Sequence, residues 1–325
     1  MRVVQGWADL DHEAGVVLTI GVFDGVHLGH QALIREAVRQ ARAQDWQPAV
    51  LTFYPHPRSV VAPESSWGYL CSLEERIERI AELGPALLMV LRFTPELRDT
   101  PADDFVGELV QHVPLRELYV GADFSLGQGR HGDQAALTAL GERHGFVVRP
   151  AAPVCLDGRV VSSTRIRELI QAGEVGEAAR WLGRHFSLRG NVVAGRGQGR
   201  ALGFPTANLS LHPRQLLPAD GVYAARARCA PATPCPGPFQ ALAYVGRRPT
   251  FGPSERVVEV HLLDFAGELV GYELRAEFVE RLRPDQRFGS VGELVAQMER
   301  DKAGARSLLD AGRPGPGPNE SGTPS

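Results

Sequence analysis

The chain has 325 residues, which at ~150 residues per domain predicts about two domains. Its composition, 43% apolar and 22% charged, is that of a globular protein with material for two cores. With 35 Lys and Arg against 38 Asp and Glu the net charge is -3, which argues against a broadly basic nucleic-acid binder.

The opening stretch MRVVQGWADLDHE has no apolar run ending in a small-residue cleavage site, so it does not read as a signal peptide. No apolar run reaches the ~18 residues of a membrane span. Cys71, Cys155, Cys229 and Cys235 are scattered without a C-x-x-C pair, which predicts reduced thiols and a cytoplasmic protein. Val16 to Ile20 is a β-branched run that ends in a Gly-rich turn, Gly21 to His30, and a helix follows to about Ala43. Ala49 to Phe53 predicts a second strand, closed by Pro55-His56-Pro57. Ser72-Leu73-Glu74-Glu75 is a capping box, and Ile77, Ile80 and Leu83 continue an apolar helix face. Leu87 to Leu91 is another strand, and Thr100-Pro101 opens the next helix. Leu118 to Gly121 and Val147 to Val148 complete the set. Short strands alternating with helices predict a doubly wound α/β domain, a parallel sheet covered on both faces.

After about Leu182 the period changes to two. Leu188 onward, Gly221 to Arg228, Phe239 to Val245, Val258 to Leu262 and Leu274 to Phe278 are strand-like and separated by turns. They predict a small antiparallel β-barrel. One helix follows, with Val291, Leu294 and Met298 at near-helical spacing. The expected boundaries are 1–184 and 185–306, with a disordered tail over 307–325, which from about Asp310 onward lacks apolar content. A fragment from His185 to Arg306 is expected to fold by itself.

Gly21-Val22-Phe23-Asp24-Gly25-Val26-His27-Leu28-Gly29-His30 sits where the first strand hands over to the first helix. Ligands of open α/β sheets bind at such carboxyl ends, glycines admit a phosphate, and a helix start attracts anions. Two imidazoles three residues apart could neutralise charge building on a polyphosphate. Taken alone, the same residues read more readily as a loop with two satisfied histidines, and no nearby Cys or Asp completes a metal set. The longer string resembles the H-x-G-H motif of nucleotidylyltransferases, and specifically the adenylyltransferase half of the bacterial bifunctional riboflavin kinase/FAD synthetase family. Three segments agree: Thr52-Phe53-Tyr54-Pro55-His56-Pro57, then Val120-Gly121-Ala122-Asp123-Phe124-Ser125-Leu126-Gly127 with Arg130, then Ser162-Ser163-Thr164-Arg165-Ile166-Arg167. Leu126 stands where that family has an aromatic residue. By itself Ser-Ser-Thr is an ordinary helix cap. The resemblance implies that His27 and His30 are catalytic. It implies nucleotide or phosphate contacts for Gly21, Phe23, Asp24, Gly25, Gly29, Asp123, Arg130, Ser162, Ser163, Thr164 and Arg167. It places Pro55, His56, Pro57 and Phe124 along the flavin.

Gly195-Arg196-Gly197-Gln198-Gly199-Arg200-Ala201-Leu202-Gly203 is Gly-rich and basic but has no G-K-[ST], so it is not a P-loop. In Phe204-Pro205-Thr206-Ala207-Asn208 a hydroxyl and an amide two residues apart share one face of an extended segment, where they suit a hard cation and phosphate oxygens. The run Gly199 to Leu209 resembles the riboflavin kinase motif G-R-x-L-G-F-P-T-A-N-L. Pro218 to Tyr223, Gly246 to Phe251 and Val258 to Phe265 resemble further motifs of that family. The resemblance implies Gly195, Gly197, Gly199, Arg200, Gly203, Thr206 and Asn208 as nucleotide contacts, with Mg²⁺ held by Thr206 and Asn208 through phosphates. It makes Glu259, otherwise a lone strand glutamate, the general base. It sets Arg283 and Phe288 beside the flavin ring, and gives His261 no catalytic role. Val270 replaces a family tyrosine, with a mild loss of flavin affinity expected.

The whole implies flavin cofactor synthesis: riboflavin and ATP to FMN and ADP, then FMN and ATP to FAD and pyrophosphate. The oligomeric state is open, and neither nucleic acid nor membrane is an expected partner. Activity of one half only, or a flavin-binding sensor or storage protein, are the alternatives. A sensor has no need of the phosphate-handling residues His27, His30, Thr206, Asn208 and Glu259.

Overall fold

The computed structural model describes residues 1–8, 10, 15–64, 67–195, 197–230, 237–247 and 256–311. Cys235, residues 248–251 of the Gly246 to Phe251 motif and tail residues 312–325 lie outside them. The chain forms two compact units, Met1–Trp67 with Leu73–Ser162, and Gly68–Ser72 with Ser163–Ser325.

The first unit contains strands β1 (Arg2–Gln5), β2 (Val16–Ile20), β3 (Gln47–Tyr54), β4 (Leu87–Arg92), β5 (Leu115–Val120) and β6 (Val147–Pro150). They form one parallel sheet in the order β1-β4-β3-β2-β5-β6. Helices α1 (Leu28–Ala43), α2 (Pro57–Val61), α3 (Leu73–Ala81), α4 (Pro95–Asp99), α5 (Ala102–His112) and α6 (Gln134–His144) connect them, and β7 (Cys155–Leu156) pairs with β8 (Arg159–Val160) as a hairpin. Each strand serves two cores. Val16, Leu18 and Ile20 pack with α5 and α6 through Phe105, Leu109, Leu137 and Leu140. Val17, Val50, Leu88 and Val90 face Leu33, Ile34, Ala37 and Val38 of α1, with Ile80 of α3. Burial on both faces is why these strands read as unbroken apolar runs, and the doubly wound sheet is as the sequence predicts. Strand β1 escaped sequence reading. Its four residues are mostly exposed at a sheet edge and carry no alternation.

The second unit opens with α7 (Ser163–Ala172) and α8 (Val175–Leu182). Strands β9 (Phe186–Val193), β10 (Ala207–Ser210), β11 (Gly221–Cys229), β12 (Phe239–Arg247), β13 (Arg256–Leu262) and β14 (Glu273–Pro284) close an antiparallel barrel in the order β10-β13-β12-β11-β14-β9. The short α9 (Gln198–Ala201) lies in the glycine loop, and α10 (Val291–Asp310) ends the fold. Period two sorts the strands. Ala243, Val245, Val258 and Val260, none above 1% exposed, turn into the barrel. Val222, Ala224 and Leu242 turn outward and are covered by Ala305 and Leu309 of α10. Helix α8 packs on β14 and β9 and buries Trp181 and Leu182. Helix α10 runs through Ser307–Asp310, which the sequence reading gave to the tail. Leu309 is buried under the barrel cover, and one apolar residue every third or fourth position keeps the helix docked there.

Candidate active sites

In the parallel sheet the strand order reverses at β2, which has β3 on one side and β5 on the other. The Gly21 to His30 loop leaves β2 at this switch point, and Gly121-Ala122-Asp123 leaves β5 beside it. The loop is sharply folded. Phe23, Gly25 and Val26 all have positive φ, at 50, 82 and 40°. That conformation is costly for a β-branched residue and persists only where neighbours enforce it. Thr52 Oγ1 donates to the Val22 carbonyl at 2.9 Å, and Gln31 Nε2 donates to the Val26 carbonyl at 2.9 Å. His27, 5% exposed, is the N-cap of α1: its Nδ1 accepts from the His30 N–H at 3.3 Å. The neutral ring therefore carries its proton on Nε2. The two imidazoles stack at 3.6 Å and 17°, and the Phe23 ring meets His30 edge-on at 5.2 Å. A Cβ on Gly29 would lie 3.2 Å from His27 and 3.6 Å from the Val161 carbonyl, so the chain just before Ser162 passes against this loop.

The other sequence-predicted residues of this half divide. His56 caps α2 by accepting from Arg58 N–H at 3.0 Å, and its ring lies 4.1 Å from Trp67. Asp123 is exposed, and Arg130 holds its loop by donating to Ser125 Oγ and to the Asp123 carbonyl. Leu126, in place of the family's aromatic, is 8% exposed and completes the α5/α6 core. Ser162 closes the first unit and Ser163 begins α7 of the second, where Arg167 Nε donates to the Gly68 carbonyl at 2.9 Å. Asp24 is 1% exposed, and its carboxylate lies 3.9 Å from Arg76, so it faces into the protein.

On the barrel, Thr206, just ahead of β10, and Asn208 on β10 lie beside Glu259 of β13. Asn208 is registered opposite Glu259, and Thr206 Oγ1 donates to Glu259 Oε2 at 3.1 Å. Two cavities meet here. One of about 510 Å³ is walled by Phe204, Leu242, Tyr244, Phe288, Leu294 and Met298, with Glu259 and Arg283 on its lining. The other, about 250 Å³, is walled by Val192, Val260, Leu262, Phe265, Leu269 and Val270, with Arg200 and Glu268 at 3.0 Å from each other. Gly197, Thr206 and Asn208 line both. A Cβ on Gly195 would overlap the Asn208 amide, so a side chain there would displace that amide. Burial, then the Asp285 carboxylate beside it, pushes the Tyr244 phenol up to about 12, so it stays a hydrogen-bond donor in the larger cavity. Val270 lines the smaller cavity and not the one that Glu259, Arg283 and Phe288 share.

Sequence reasoning missed Arg76 and Asp301. Asp301, 6% exposed, accepts two bonds from Arg283 Nε at 2.9 and 3.0 Å and one from Gln297 at 2.8 Å, which fastens α10 along the larger cavity. Both left the same trace. Arg76 falls on the apolar stripe Leu73, Ile77, Ile80, and Asp301 on the stripe Leu294, Met298, Ala305. A charge on an apolar helix face predicts a buried partner.

A parallel-sheet unit with a helix-start histidine pair, followed by a barrel with two meeting cavities, defines a two-domain transferase that handles nucleotides. The FAD synthetase family model matches residues 9–165, and the riboflavin kinase family model matches residues 182–309. The chain belongs to the bifunctional riboflavin kinase/FMN adenylyltransferase family. It is 35% identical to the member of that name from Escherichia coli K12 over 97% of this chain and all of that one. It is 38% identical to the one from Pseudomonas fluorescens over 95% of this chain and 98% of that one. A crystal structure described as a macrolide-efflux protein from Streptococcus pneumoniae matches with TM-score 0.83 and 29% identity, over 94% of this chain and 99% of that one. Among the described residues no helix is long and apolar enough to cross a membrane.

Proposed function

We propose that the barrel unit transfers the γ-phosphoryl group of ATP to the 5′-hydroxyl of riboflavin, giving FMN and ADP. The parallel-sheet unit then joins FMN to the AMP part of a second ATP, giving FAD and pyrophosphate. The meeting of two cavities at Gly197, Thr206 and Asn208, with Glu259 on the larger side, carries this reading. A flavin in the larger cavity and a nucleotide in the smaller one bring hydroxyl and γ-phosphate to that junction. Glu259 orients the hydroxyl and accepts its proton, while Thr206 holds the carboxylate in place. Arg283, already bound to Asp301, supports the flavin wall together with Phe288, whose ring lies 5.7 Å away.

Mg²⁺ fits the junction. Thr206 and Asn208 offer hard neutral oxygens on one strand face, and the described residues contain no cluster of three His, Cys, Asp or Glu that could cage a metal alone. When bound it would offset polyphosphate charge, with phosphates supplying most of its ligands. At the other site the FMN phosphate is already an oxyanion nucleophile, so His27, His30 and the start of α1 need only stabilise charge on the α-phosphate and on departing pyrophosphate. Asp24 acts from inside the loop and touches no phosphate. A cytoplasmic setting agrees with free thiols at Cys71, Cys155 and Cys229.

The test is a chromatographic time course with riboflavin, ATP and Mg²⁺. FMN should rise first and FAD should follow. Unchanged riboflavin would point to a sensor or storage protein, and arrest at FMN to a single active half.

A further inference from the structure

Arg76 is the largest fully buried side chain among the described residues, at 0% exposure. It stands on α3, away from every motif, yet it reaches two of them. Nη1 donates to the carbonyl of Phe53 at 3.1 Å, at the end of β3 just before Pro55-His56-Pro57. Nη2 faces the Asp24 carboxylate at 3.9 Å, inside the Gly21 to His30 loop. Asp24 sits between Phe23 and Val26, the two non-glycine residues of that loop with positive φ. A guanidinium buried this deeply is retained only where its charge is compensated, and its planar fork can hold two acceptors in fixed directions.

We propose that Arg76 is a positioning residue for adenylyl transfer. It holds the strained turn through Asp24 and the Pro55-His56-Pro57 segment through Phe53, and so fixes His27 and His30 against the reacting phosphates. This inference rests on the adenylyltransferase reading of the first unit. Arg76 touches no substrate itself. Its loss lets the turn relax and moves the histidines, which costs rate once substrates are bound and leaves their binding largely intact.

The experiment uses the full-length chain and measures FAD formed from supplied FMN and ATP. Wild type must form FAD; if it does not, the adenylyltransferase reading fails before Arg76 is at issue. With Arg76→Met, kcat should fall about ten- to hundredfold while the KM values for FMN and ATP stay within about threefold. Arg76→Lys keeps a charge facing Asp24 but cannot hold both acceptors, so it should recover part of kcat. Arg76→Met combined with Asp24→Asn also removes the buried carboxylate charge that faces position 76 and guards against misfolding. It should be as slow as Arg76→Met, because neither motif is held. A folded Arg76→Met or double variant with kcat within threefold of wild type overturns the proposal. So does a variant whose loss lies wholly in KM.

Discussion

The two candidate sites solve different chemical problems, and their construction follows the difference. In the parallel-sheet unit the FMN phosphate is already ionised, and the protein presents two stacked imidazoles on a tightly folded loop, with Asp24 turned inward to Arg76. On the barrel the nucleophile is a neutral hydroxyl, and a carboxylate, Glu259, stands half-buried on a strand face with a hydroxyl donor to steady it. The loop site is held by side chains reaching into strained backbone. The barrel site is held by strand register, which sets Asn208 opposite Glu259, and by the hydrogen bond from Thr206 to Glu259.

The sharpest way to break this contrast is Glu259→Gln. It keeps shape and removes the base, so riboflavin phosphorylation should fall by about 10²–10⁴ while supplied FMN is still adenylylated. Wild-type phosphorylation in this variant would mean that the hydroxyl is activated elsewhere.

His30→Ala probes the other side. FAD formation should fall by about 10²–10³ with FMN formation unchanged. A drop below tenfold, or loss of both activities in one folded protein, would remove the histidine pair from the mechanism.

Separation of the units tests whether each site is self-contained. Helix α8 buries Trp181 and Leu182 against the barrel, so cutting at His185 should expose apolar surface and lower solubility. A fragment from Ser163 to Ala311 keeps α7 and α8 and should phosphorylate riboflavin and make no FAD. It lacks Tyr69, whose backbone pairs with Gln215, so it should melt below the full chain. Equal solubility of the two fragments would show that α8 is dispensable to the barrel.

Acidification should act on the barrel. Burial lowers the pKa of His261 from its ordinary 6.5, and that of His185 likewise. The unfolded chain therefore binds these protons more tightly. Their contribution to stability is complete above about pH 6.5 and is lost as pH falls through that value toward the folded pKa. Heat inactivation of riboflavin phosphorylation should sharpen between about pH 7 and pH 5, and less so in His261→Gln. Parallel profiles for the two proteins would exclude His261 as the cause.

Val270→Tyr should have the smallest effect. It adds a ring at the rim of the smaller cavity, so it should change the KM for ATP by about two- to tenfold and leave the KM for riboflavin alone. A change confined to riboflavin would exchange the two cavity assignments.

Much of this protein was legible in its sequence because local physics dictated it. Two-sided burial wrote Val16 to Ile20 and Leu87 to Leu91 as apolar runs, and period two wrote Val258 and Val260 against Glu259 and His261. The glycine loops stood out because glycine permits close backbone approach, as at Gly199, where a Cβ would overlap the Phe204 carbonyl. What tertiary structure decided is pairing over distance. Sequence spacing put two charges on apolar helix stripes but could not say that Arg76 meets Asp24 and Phe53, or that Asp301 meets Arg283. It named Asp24 and Val270 without telling which way either one faces. The edge strand β1 exists only because β4 offers it hydrogen bonds. The two cavities are absent from any local pattern, since their walls come from strands and a helix that closure of the barrel brings together.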